Sequence, residues 1–542
     1  MTGNIIFVTG GVVSSIGKGT LAATIGMLLK NRGLSVKIRK FDPYLNVDPG
    51  TMNPIQHGEV FVTEDGTETD LDIGCYERYI GVNAEKGDSI TTGKIYSELL
   101  QKERYGEYLG ATVQVIPHVT SLIKNYMTAK LDSYDFIICE IGGTVGDIEA
   151  LPFFEAVRQL CYESPRNKIA CIHLTLLPQL FSSNEIKTKP TQHSIRTLNS
   201  IGIQPNFIVC RIAKNIPHDG IAEKIASCSS IYANQICIVP ELDTIYRMPL
   251  FIKEIGFDQK VLAHFDYPNN EIKHLDFWHN YCNKILDNFE KTIDIAIVGK
   301  YTQLHDAYKS IIEAITHSRI KLGCKVKLHF IDTRDCDTSD MIADKLKNIN
   351  AIIIPGGFGN DGISGKIAAI TYAREKNIPI LGICLGMQLM VIEFAKNVAG
   401  ISDPGSIEFG NFNDNIVTFM NEWQDSSNNK NIVDESKGLG GSMRLGTYEC
   451  QLQPDSKIFK IYNGKETIRE RHRHRYEINA NYIDILEKNG LIFSGRKNNI
   501  CEILEIKNHK WFIGTQYHPE FKSRPFDTHP LFDDLLLTAL NK

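Results

Sequence analysis

Cys384 stands in a sequence pattern that suits a nucleophile. It lies between Gly382 and Gly386 and directly follows the apolar run Ile378 to Leu381. Glycines two residues before and after a cysteine permit a sharp turn from a strand into a helix, and a helix N-terminus favours a thiolate. A buried structural cysteine is the alternative, which the two glycines make the weaker interpretation. Cys384 is therefore a candidate for covalent catalysis.

A second pair of residues could complete this chemistry, because a thiolate nucleophile needs an acid/base and that group needs an orienting partner. His518 and Glu520 follow the apolar run Trp511 to Gly514 and fit these two roles. A lone histidine at a strand end is usually structural, but its combination with Cys384 favours a Cys/His/Glu triad.

The tetrahedral intermediate of such a triad needs backbone N–H donors. Gly357, which follows the apolar run Ala351 to Ile354, and Leu385 are the candidates. The basic run Arg469 to Arg475 suggests nucleic-acid binding, but one such run in an acidic chain is weak evidence for it. An arginine that binds a substrate carboxylate with two hydrogen bonds is at least as well supported.

A glycine-rich segment near the N-terminus suits phosphate binding. Gly10 to Thr20 follows the apolar run Ile5 to Val8 and opens a helical pattern, so that backbone N–H groups and Lys18 can face an anion. The spelling departs from G-x-x-x-x-G-K-[ST], since Val12 occupies the first glycine position. A tight turn with a surface lysine is the alternative, but the preceding strand favours nucleotide binding.

A bound nucleotide would bring Mg²⁺, which prefers hard oxygen ligands and usually one or two carboxylates. Glu140 ends the apolar run Phe136 to Cys139 and leads into a glycine-rich turn, where open α/β sheets bind ligands. The acidic run Glu64 to Asp72 offers further carboxylates, and residue type alone does not choose Asp72 over Asp70. The segment Lys187 to His193 could bind a second polyphosphate, although a basic surface turn is the favoured interpretation without other evidence.

Composition bounds the class of protein. The 542 residues suggest at least two domains, and 42% hydrophobic with 23% charged residues is typical of globular chains. A net charge of −5 favours a small-molecule substrate over nucleic acid or membrane. The thirteen cysteines contain no C-x-x-C pair, which indicates a reducing compartment, and we expect a cytoplasmic protein.

The elements that must position these residues follow an α/β pattern. Short apolar runs alternate with helical segments, as parallel βαβ units require. We predict a first domain over residues 1–267, a linker with one helix over 268–291, and a second α/β domain over 292–542. The polar stretch Asp425 to Gly441 is a long loop, and composition supports a lid and an exposed loop equally.

These motifs together resemble the CTP synthase family over essentially the whole chain. The glycine-flanked cysteine and the His-Pro-Glu segment are shared by all class I glutaminases, whereas the block Lys40 to Thr63 is highly specific. The blocks that carry the resemblance are Gly10 to Thr20, Lys40 to Thr63, Glu140 to Glu149, Lys187 to His193, Gly382 to Gln388 and Arg471 to Tyr476.

The resemblance implies an α/β fold in which a P-loop, dethiobiotin-synthetase-like parallel-sheet synthase domain precedes an α/β class I glutaminase domain. It implies that ATP phosphorylates the uracil O4 of UTP and that ammonia from glutamine, or added directly, displaces phosphate to give CTP. It also implies Mg²⁺, feedback inhibition by CTP, activation by GTP and a homotetramer.

Site residues follow from the resemblance by position. In the synthase domain it implies metal ligands Asp72 and Glu140, phosphoryl transfer by Lys40, ATP contacts by Ser15, Ile16, Gly17, Lys18, Gly19, Thr20, Asp72 and Leu242, and UTP or CTP contacts by Ser14, Asp147, Ile148, Glu149, Lys187, Thr188, Lys189, Pro190, Thr191, Gln192 and Lys224. For the nitrogen source it implies the triad Cys384, His518 and Glu520, glutamine contacts by Gly357, Leu385, Gly386, Met387, Gln388, Glu408 and Arg473, and an ammonia passage lined by Pro54, His57 and Val60.

Two departures from the family pattern qualify these expectations. The family usually has an arginine two residues after Gly359, where this chain has Asp361, so charge repulsion predicts weak GTP stimulation. One extra residue near Lys224 makes its alignment less direct than that of Lys187. Two rival hypotheses are an amidase of the same architecture with another acceptor, which the Lys40 to Thr63 block disfavours, and a nucleotide-switched scaffold with an inactive glutaminase, which the triad disfavours.

Overall fold

The computed structural model describes residues 3–180, 185–213, 217, 219–273, 275–335, 339–420, 422–424, 430–432 and 443–541. Apart from one short strand at 430–432, the predicted loop at 425–441 lies outside the described residues. Two compact units divide the chain, one made of Met1–Pro49 and Cys75–Asn283 and the other of Gly50–Gly74 and Lys284–Lys542. In the described part of the chain, no helix combines the length and apolar character needed to cross a bilayer.

The strands in chain order are β1 (Asn4–Gly10), β2 (Val36–Asp42), β3 (Phe61–Val62), β4 (Glu68–Thr69), β5 (Ser89–Thr91), β6 (Phe136–Ile141), β7 (Ile169–Leu176), β8 (Gln179–Leu180), β9 (Glu185–Ile186), β10 (Phe207–Ile212), β11 (Ile236–Pro240), β12 (Thr292–Gly299), β13 (Lys325–Asp332), β14 (Ala351–Ile354), β15 (Ile380–Ile383), β16 (Pro404–Ser406), β17 (Asp414–Phe419), β18 (Glu422–Gln424), β19 (Lys430–Ile432), β20 (Arg444–Leu452), β21 (Thr467–His474), β22 (Tyr476–Ile478), β23 (Leu491–Lys497), β24 (Ile500–Ile506) and β25 (Phe512–Thr515).

The helices are α1 (Lys18–Lys30), α2 (Pro54–His57), α3 (Leu71–Ile80), α4 (Thr92–Arg104), α5 (Thr120–Thr128), α6 (Leu151–Glu163), α7 (Lys189–Ser200), α8 (Ile221–Ser229), α9 (Met248–Glu254), α10 (Phe257–His264), α11 (Leu275–Leu286), α12 (Lys309–Leu322), α13 (Ser339–Leu346), α14 (Ile363–Lys376), α15 (Leu385–Asn397), α16 (Lys457–Ile461), α17 (Ile483–Lys488) and α18 (Pro530–Leu540).

A seven-stranded parallel sheet organises the first unit, in the order β11-β10-β7-β1-β6-β2-β5. Its central strands β1 and β6 are buried along their whole length, which is why their sequences are apolar without alternation. Near-continuous apolar runs at 136–139, 169–176 and 207–210 predict buried strands, and the structure confirms them as β6, β7 and β10. Because the strands are parallel, the turns after β1 and β6 lie at the same edge of the sheet.

A nine-stranded mixed sheet organises the second unit, in the order β13-β12-β14-β15-β25-β24-β23-β20-β21. The strands from β13 to β25 are parallel, and those from β25 to β21 are antiparallel. β15 begins at Ile380, two residues later than the predicted run, because the Ile378 N–H bonds to the Ala373 carbonyl and closes the end of α14. Side by side, β15 and β25 lead to Cys384 and His518.

The segment Gly50–Gly74 belongs to the second unit, although it lies in the N-terminal part of the sequence. The Glu59 carboxylate accepts hydrogen bonds from the backbone N–H of Ser310, at 2.8 Å, and from its hydroxyl. The Glu59 N–H donates to the Asp306 carbonyl at 2.9 Å, and the Thr447 N–H donates to the Glu64 carbonyl at 3.0 Å. A carboxylate at the first turn of α12 pairs otherwise orphaned N–H groups and opposes the helix dipole, so these bonds fix the segment to the unit.

We expect Glu59→Ala to speed hydrogen exchange of the Ser310 amide and to destabilise the second unit by about 1–3 kcal/mol, because it leaves buried donors unpaired. Amide hydrogen exchange followed by mass spectrometry or NMR measures this directly. Glu64→Ala is the matched control, since Glu64 binds Thr447 and Arg471 instead. Unchanged exchange at Ser310 in Glu59→Ala would contradict this account of how the segment is held.

Candidate active site

The turn from β15 into α15 holds Cys384 in a strained backbone conformation. Its φ of 54° and ψ of −106° are rare for a residue with a side chain. The Cys384 N–H donates to the Thr515 carbonyl on β25 at 2.7 Å, which fixes the turn against the neighbouring strand. We call this strand-to-helix turn the cysteine elbow. Its cysteine is buried, with 4% of its surface exposed, whereas an exposed thiol is the usual expectation for such a turn.

Close packing explains both glycines around the cysteine. A Cβ on Gly386 would lie 2.2 Å from the Ile354 carbonyl oxygen on β14, and one on Gly382 would lie 2.3 Å from the Met390 sulfur. Neither glycine has a positive φ, so the need is for space rather than for backbone freedom. The elbow therefore depends on α15 lying unusually close to the sheet.

His518 and Glu520 form a buried hydrogen-bonded pair beside the cysteine. The His518 Nδ1 lies 2.8 Å from the Glu520 Oε1. A Cβ placed on Gly356 would lie 3.1 Å from the His518 Cε1 and 3.5 Å from the Cys384 Cβ, so the ring and the cysteine converge on this glycine. Burial lowers the pKa of His518, but the Glu520 carboxylate and Cys384 together raise it to about 10. The imidazolium is thus the favoured form at neutral pH.

Around this pair lie the residues expected to hold glutamine. The Gln388 amide donates to the Tyr476 carbonyl and to the Gln516 side chain, both at 3.1 Å. The Glu408 carboxylate accepts from the Gly359 N–H at 2.7 Å, and burial raises its pKa. Met387 is a core residue of the second unit, and its side chain is fully buried.

Arg473 on β21 is held by two groups of the Gly50–Gly74 segment. Its Nε donates to the Glu68 Oε1 at 2.7 Å and its Nη2 to the Gly50 carbonyl at 2.9 Å. The guanidinium also lies over the Phe358 ring, and the Arg473 carbonyl oxygen lies 3.4 Å from the Cys384 sulfur. Glu68 was not predicted as a site residue, because nothing in an acidic run distinguishes the carboxylates that face arginines from those that do not.

The basic run at 469–475 is largely buried, which contradicts the nucleic-acid interpretation. Arg471 and His474 are at most 1% exposed, and the Arg473 side chain is 13% exposed. Alternation along β21 separates the run into two sets, so that Arg471 and Arg473 bind Glu64 and Glu68. The histidines of the run instead share a buried cluster.

His472, His474 and Glu502 have the side-chain spacing of a metal site, but a guanidinium lies among them. The Arg444 Nη1 lies 2.7 Å from a Glu502 oxygen and 3.4 Å from a ring nitrogen of each histidine. Burial and the charge of Arg444 hold the pKa of both histidines well below the usual range. Two neutral rings and the Arg444–Glu502 ion pair therefore make up this buried cluster.

In the first unit, the glycine-rich turn after β1 carries Lys18 at the start of α1. Gly17 has a φ of 98°, which a side chain rarely adopts. The Lys18 ammonium donates to the Gly143 carbonyl at 2.5 Å, which joins this turn to the turn after β6. A Cβ on Gly11 would lie 1.7 Å from the Ser194 hydroxyl, so that glycine is required by packing.

Glu140 ends β6 with a buried carboxylate that already has partners. One oxygen lies 2.9 Å from the Lys40 ammonium, and the other accepts from the Tyr76 hydroxyl. Of the two aspartates left open above, Asp70 accepts the Asp72 N–H at 2.9 Å and so caps the start of α3. Asp70 therefore has a backbone role at the start of α3, and the choice of Asp72 as a metal ligand stays a prediction.

The other predicted nucleotide residues surround the starts of helices or lie on the surface. Lys187 pairs with Glu185 at 2.5 Å, and α7 begins at Lys189 with Pro190 in its first turn. The Asp147 carboxylate accepts from the backbone and hydroxyl of Thr144 at 2.6 and 2.8 Å. The remaining predicted contacts differ in exposure. Exposed are Ser14, Ser15, Ile148, Glu149 and Lys224, buried are Ile16, Gly19, Thr188, Thr191 and Gln192, and half-buried are Thr20 and Leu242. The predicted passage residues lie in the second unit. The short helix α2 begins at Pro54 and ends at His57, and Val60 is buried.

Two curated relatives match nearly the full length of the chain. CTP synthase of Pelagibacter ubique is 52% identical over 538 residues, which cover 99% of each chain. CTP synthase of Gluconobacter oxydans is 49% identical over 541 residues, which cover 99% of this chain and 98% of the relative. Among solved structures, the Trypanosoma brucei CTPS glutaminase domain with bound acivicin is 34% identical, with a TM-score of 0.41 over 46% of this chain and 94% of that chain.

Two family models match separate halves of the chain. One, described as CTP synthase N-terminus, matches residues 4–267, and the other, described as glutamine amidotransferase class-I, matches residues 303–537. The α/β fold class predicted from the sequence is confirmed, with a parallel-sheet synthase domain and a class I glutaminase domain. The protein is a glutamine-hydrolysing ligase. The chain belongs to the CTP synthase family.

We expect Gly386→Ala to lower the free energy of unfolding by about 1–3 kcal/mol, because the new methyl group would meet the backbone of β14. Gly357→Ala is the matched control in the same unit, since a Cβ there would make only ordinary contacts at 3.6 and 3.7 Å. Urea unfolding followed by circular dichroism measures both variants. Equal stability of the two would show that α15 can move away from the sheet at no cost.

Proposed function

We propose that this chain makes CTP from UTP, ATP and glutamine, with ammonia released at Cys384 and consumed at a phosphorylated uracil. The observation that carries the proposal is the buried His518–Glu520 pair, 2.8 Å apart, beside a strained cysteine elbow in a member of this family. The reaction divides into a glutaminase step and a synthase step.

In the glutaminase step, the Cys384 thiolate attacks the side-chain amide carbon of glutamine. The oxyanion accepts hydrogen bonds from the Gly357 and Leu385 N–H groups. His518 donates its proton to the departing nitrogen, for which a pKa raised to about 10 keeps it protonated. Water then hydrolyses the thioester and restores Cys384. Glu520 holds the imidazole in the orientation that faces the sulfur.

Glutamine itself would be held at both ends. Arg473, fixed at its Nε by Glu68, can bind the α-carboxylate through its remaining N–H groups. Glu408, which accepts the Gly359 N–H, can also accept a hydrogen bond from the α-ammonium of glutamine. Gln388, which donates to the Tyr476 carbonyl, would be a further contact. Leu385, Gly386 and Met387 contribute through the backbone at the start of α15.

In the synthase step, ATP would bind over Ser15 to Thr20 and Leu242, and Lys18 and the N-terminus of α1 would face its phosphates. Asp72 and Glu140 would be the residues that offer Mg²⁺ the hard carboxylate oxygens it prefers, and the ion would neutralise phosphate charge. Lys40, 2.9 Å from Glu140, would orient the transferred phosphoryl group. Ammonia then forms a bond to the uracil carbon that carries the phosphorylated O4, and the C–O bond breaks with release of phosphate, which leaves far more readily than the unactivated carbonyl oxygen would.

UTP would bind through Ser14, Lys187, Thr188, Lys189, Pro190, Thr191, Gln192 and Lys224, and CTP as inhibitor through Asp147, Ile148 and Glu149 as well. Pro54, His57 and Val60 would line the passage for ammonia. A passage has a physical reason, because free ammonia is mostly protonated, and so not nucleophilic, in neutral water. The proposal also includes four properties that the resemblance and the composition imply. The chain forms a homotetramer, requires Mg²⁺, is activated by GTP and is cytoplasmic.

Cys384→Ala is expected to abolish glutamine-dependent CTP formation and to preserve ammonia-dependent formation, because only the nitrogen source is lost. The measurement is CTP formation from UTP, ATP and Mg²⁺ with either glutamine or ammonium chloride. Cys282→Ala serves as a matched control, since Cys282 is a buried cysteine of α11 in the first unit. Equal loss with both nitrogen donors would contradict the two-site reaction.

GTP is expected to stimulate glutamine use only weakly, because Asp361 places an exposed carboxylate where the family usually has an arginine. Asp361→Arg should increase the stimulation, and Asp361→Asn should give an intermediate effect, since charge repulsion is the cause. A GTP titration of glutamine-dependent CTP formation compares the three proteins. Strong activation of the unmodified chain would refute the prediction.

A further inference from the structure

Lys366 is a fully buried lysine beside the glutaminase site. It lies in the first turn of α14, which follows the loop that carries Gly357, and only 1% of its surface is exposed. Buried lysines are rare in proteins unless an anion pairs with them, because removing an ammonium group from water is costly. The position of this side chain therefore calls for an explanation.

No hydrogen bond or ion pair joins the Lys366 ammonium to any residue that the structure describes. The neighbouring Lys300 is different, since its ammonium donates to the Phe358 carbonyl at 2.6 Å. Burial and, to a smaller extent, the charge of Lys300 lower the pKa of Lys366, Cys384, Glu408 and Asp361 oppose this shift, and the resulting pKa is about 8. At neutral pH the group is mostly protonated, so it is a buried cation that pairs with none of the described residues.

The ammonium is aimed at the backbone that would bind the oxyanion. A Cβ placed on Gly357 would lie 3.7 Å from the Lys366 Nζ and 3.6 Å from the Leu385 Cδ2. Gly357 and Leu385 are the two residues whose N–H groups are the proposed oxyanion donors. The cation thus lies beside one of these proposed donors rather than on the surface.

We propose that Lys366 stabilises the negative charge that passes from the Cys384 sulfur to the glutamine oxygen during ammonia release. This rests on the proposed glutaminase function of Cys384. When the thiolate forms its bond to the amide carbon, the electron pair of the C=O bond moves to oxygen. Collapse of this oxyanion expels ammonia, which takes the proton from His518 and leaves a thioester. Lys366 transfers no proton and keeps its charge throughout.

The energetic reason is that a charge in a low-dielectric, water-excluded site acts strongly on a charge that develops nearby. Burying this charge without a partner lowers the stability of the folded state. Because the folded pKa lies below the usual value of 10.5, Lys366 contributes stability above that value that is lost as pH falls through about 8. Removing an uncompensated buried charge should therefore stabilise the fold at neutral pH. If Lys366 had only a structural role, its removal would instead destabilise the fold.

The test compares Lys366→Met and Lys366→Gln, which remove the charge, with Lys376→Met, which removes an exposed lysine from the end of the same helix. For the first two, we expect kcat of the glutamine-dependent reaction to fall by about 10- to 100-fold with KM for glutamine unchanged. Ammonia-dependent CTP formation should stay at the level of the unmodified chain, which also shows that the variants fold. The midpoint of thermal unfolding at pH 7 should rise for Lys366→Met.

The pH profile provides a second readout. Glutamine-dependent turnover of the unmodified chain should decline as Lys366 loses its proton near pH 8, and this decline should be absent in Lys366→Met. The proposal would be overturned by an unchanged kcat, by a rise in KM alone or by equal loss with both nitrogen donors. A rise in KM alone would assign Lys366 to binding of the α-carboxylate of glutamine. Glutamine-dependent CTP formation that survived Cys384→Ala would instead overturn the proposed function itself.

Discussion

The pairing of β15 with β25 is the constraint on which the glutaminase geometry depends. Ile383 is in register with Thr515, and the next N–H, that of Cys384, bonds to the Thr515 carbonyl at 2.7 Å. The same strand then leads to His518 three residues later, so one parallel pairing brings a sulfur and an imidazole together from distant parts of the chain. A slip in register would separate them.

This geometry is possible only because three glycines leave space around the paired strands. Gly382 and Gly386 let α15 approach the sheet, and Gly356 gives the ring of His518 and the side chain of Cys384 room to meet. Tight packing of this kind leaves little freedom for the cysteine to relax from its φ of 54°. The strain at Cys384 is therefore maintained by the surrounding core rather than by the turn itself.

Charge burial is the second theme of this unit. Arg471 and Arg473 are removed from water, and the Gly50–Gly74 segment supplies Glu64 and Glu68 to pair with them. Such pairs roughly offset their desolvation cost, and losing one partner leaves an uncompensated buried charge. This gives a physical reason why a segment of the N-terminal sequence folds with the second unit. Lys366 differs from these arginines, because it is a buried cation that pairs with no anion in the part of the chain that the structure describes, and the reacting glutamine would supply a negative charge transiently.

The amino-acid sequence by itself determined part of the fold, since apolar runs predicted β6, β7, β10 and β14 at or near their observed bounds. It also predicts the chemistry of the turn at Cys384 and of the glycine-rich turn after β1, because these motifs are local and follow from neighbouring residue types. Only the tertiary structure decided that Asp70 caps α3, that Glu68 holds Arg473 and that Lys366 lies beside Gly357. The reason is that burial and charge pairing depend on strand register and on contacts between distant segments, which no local pattern of residues encodes.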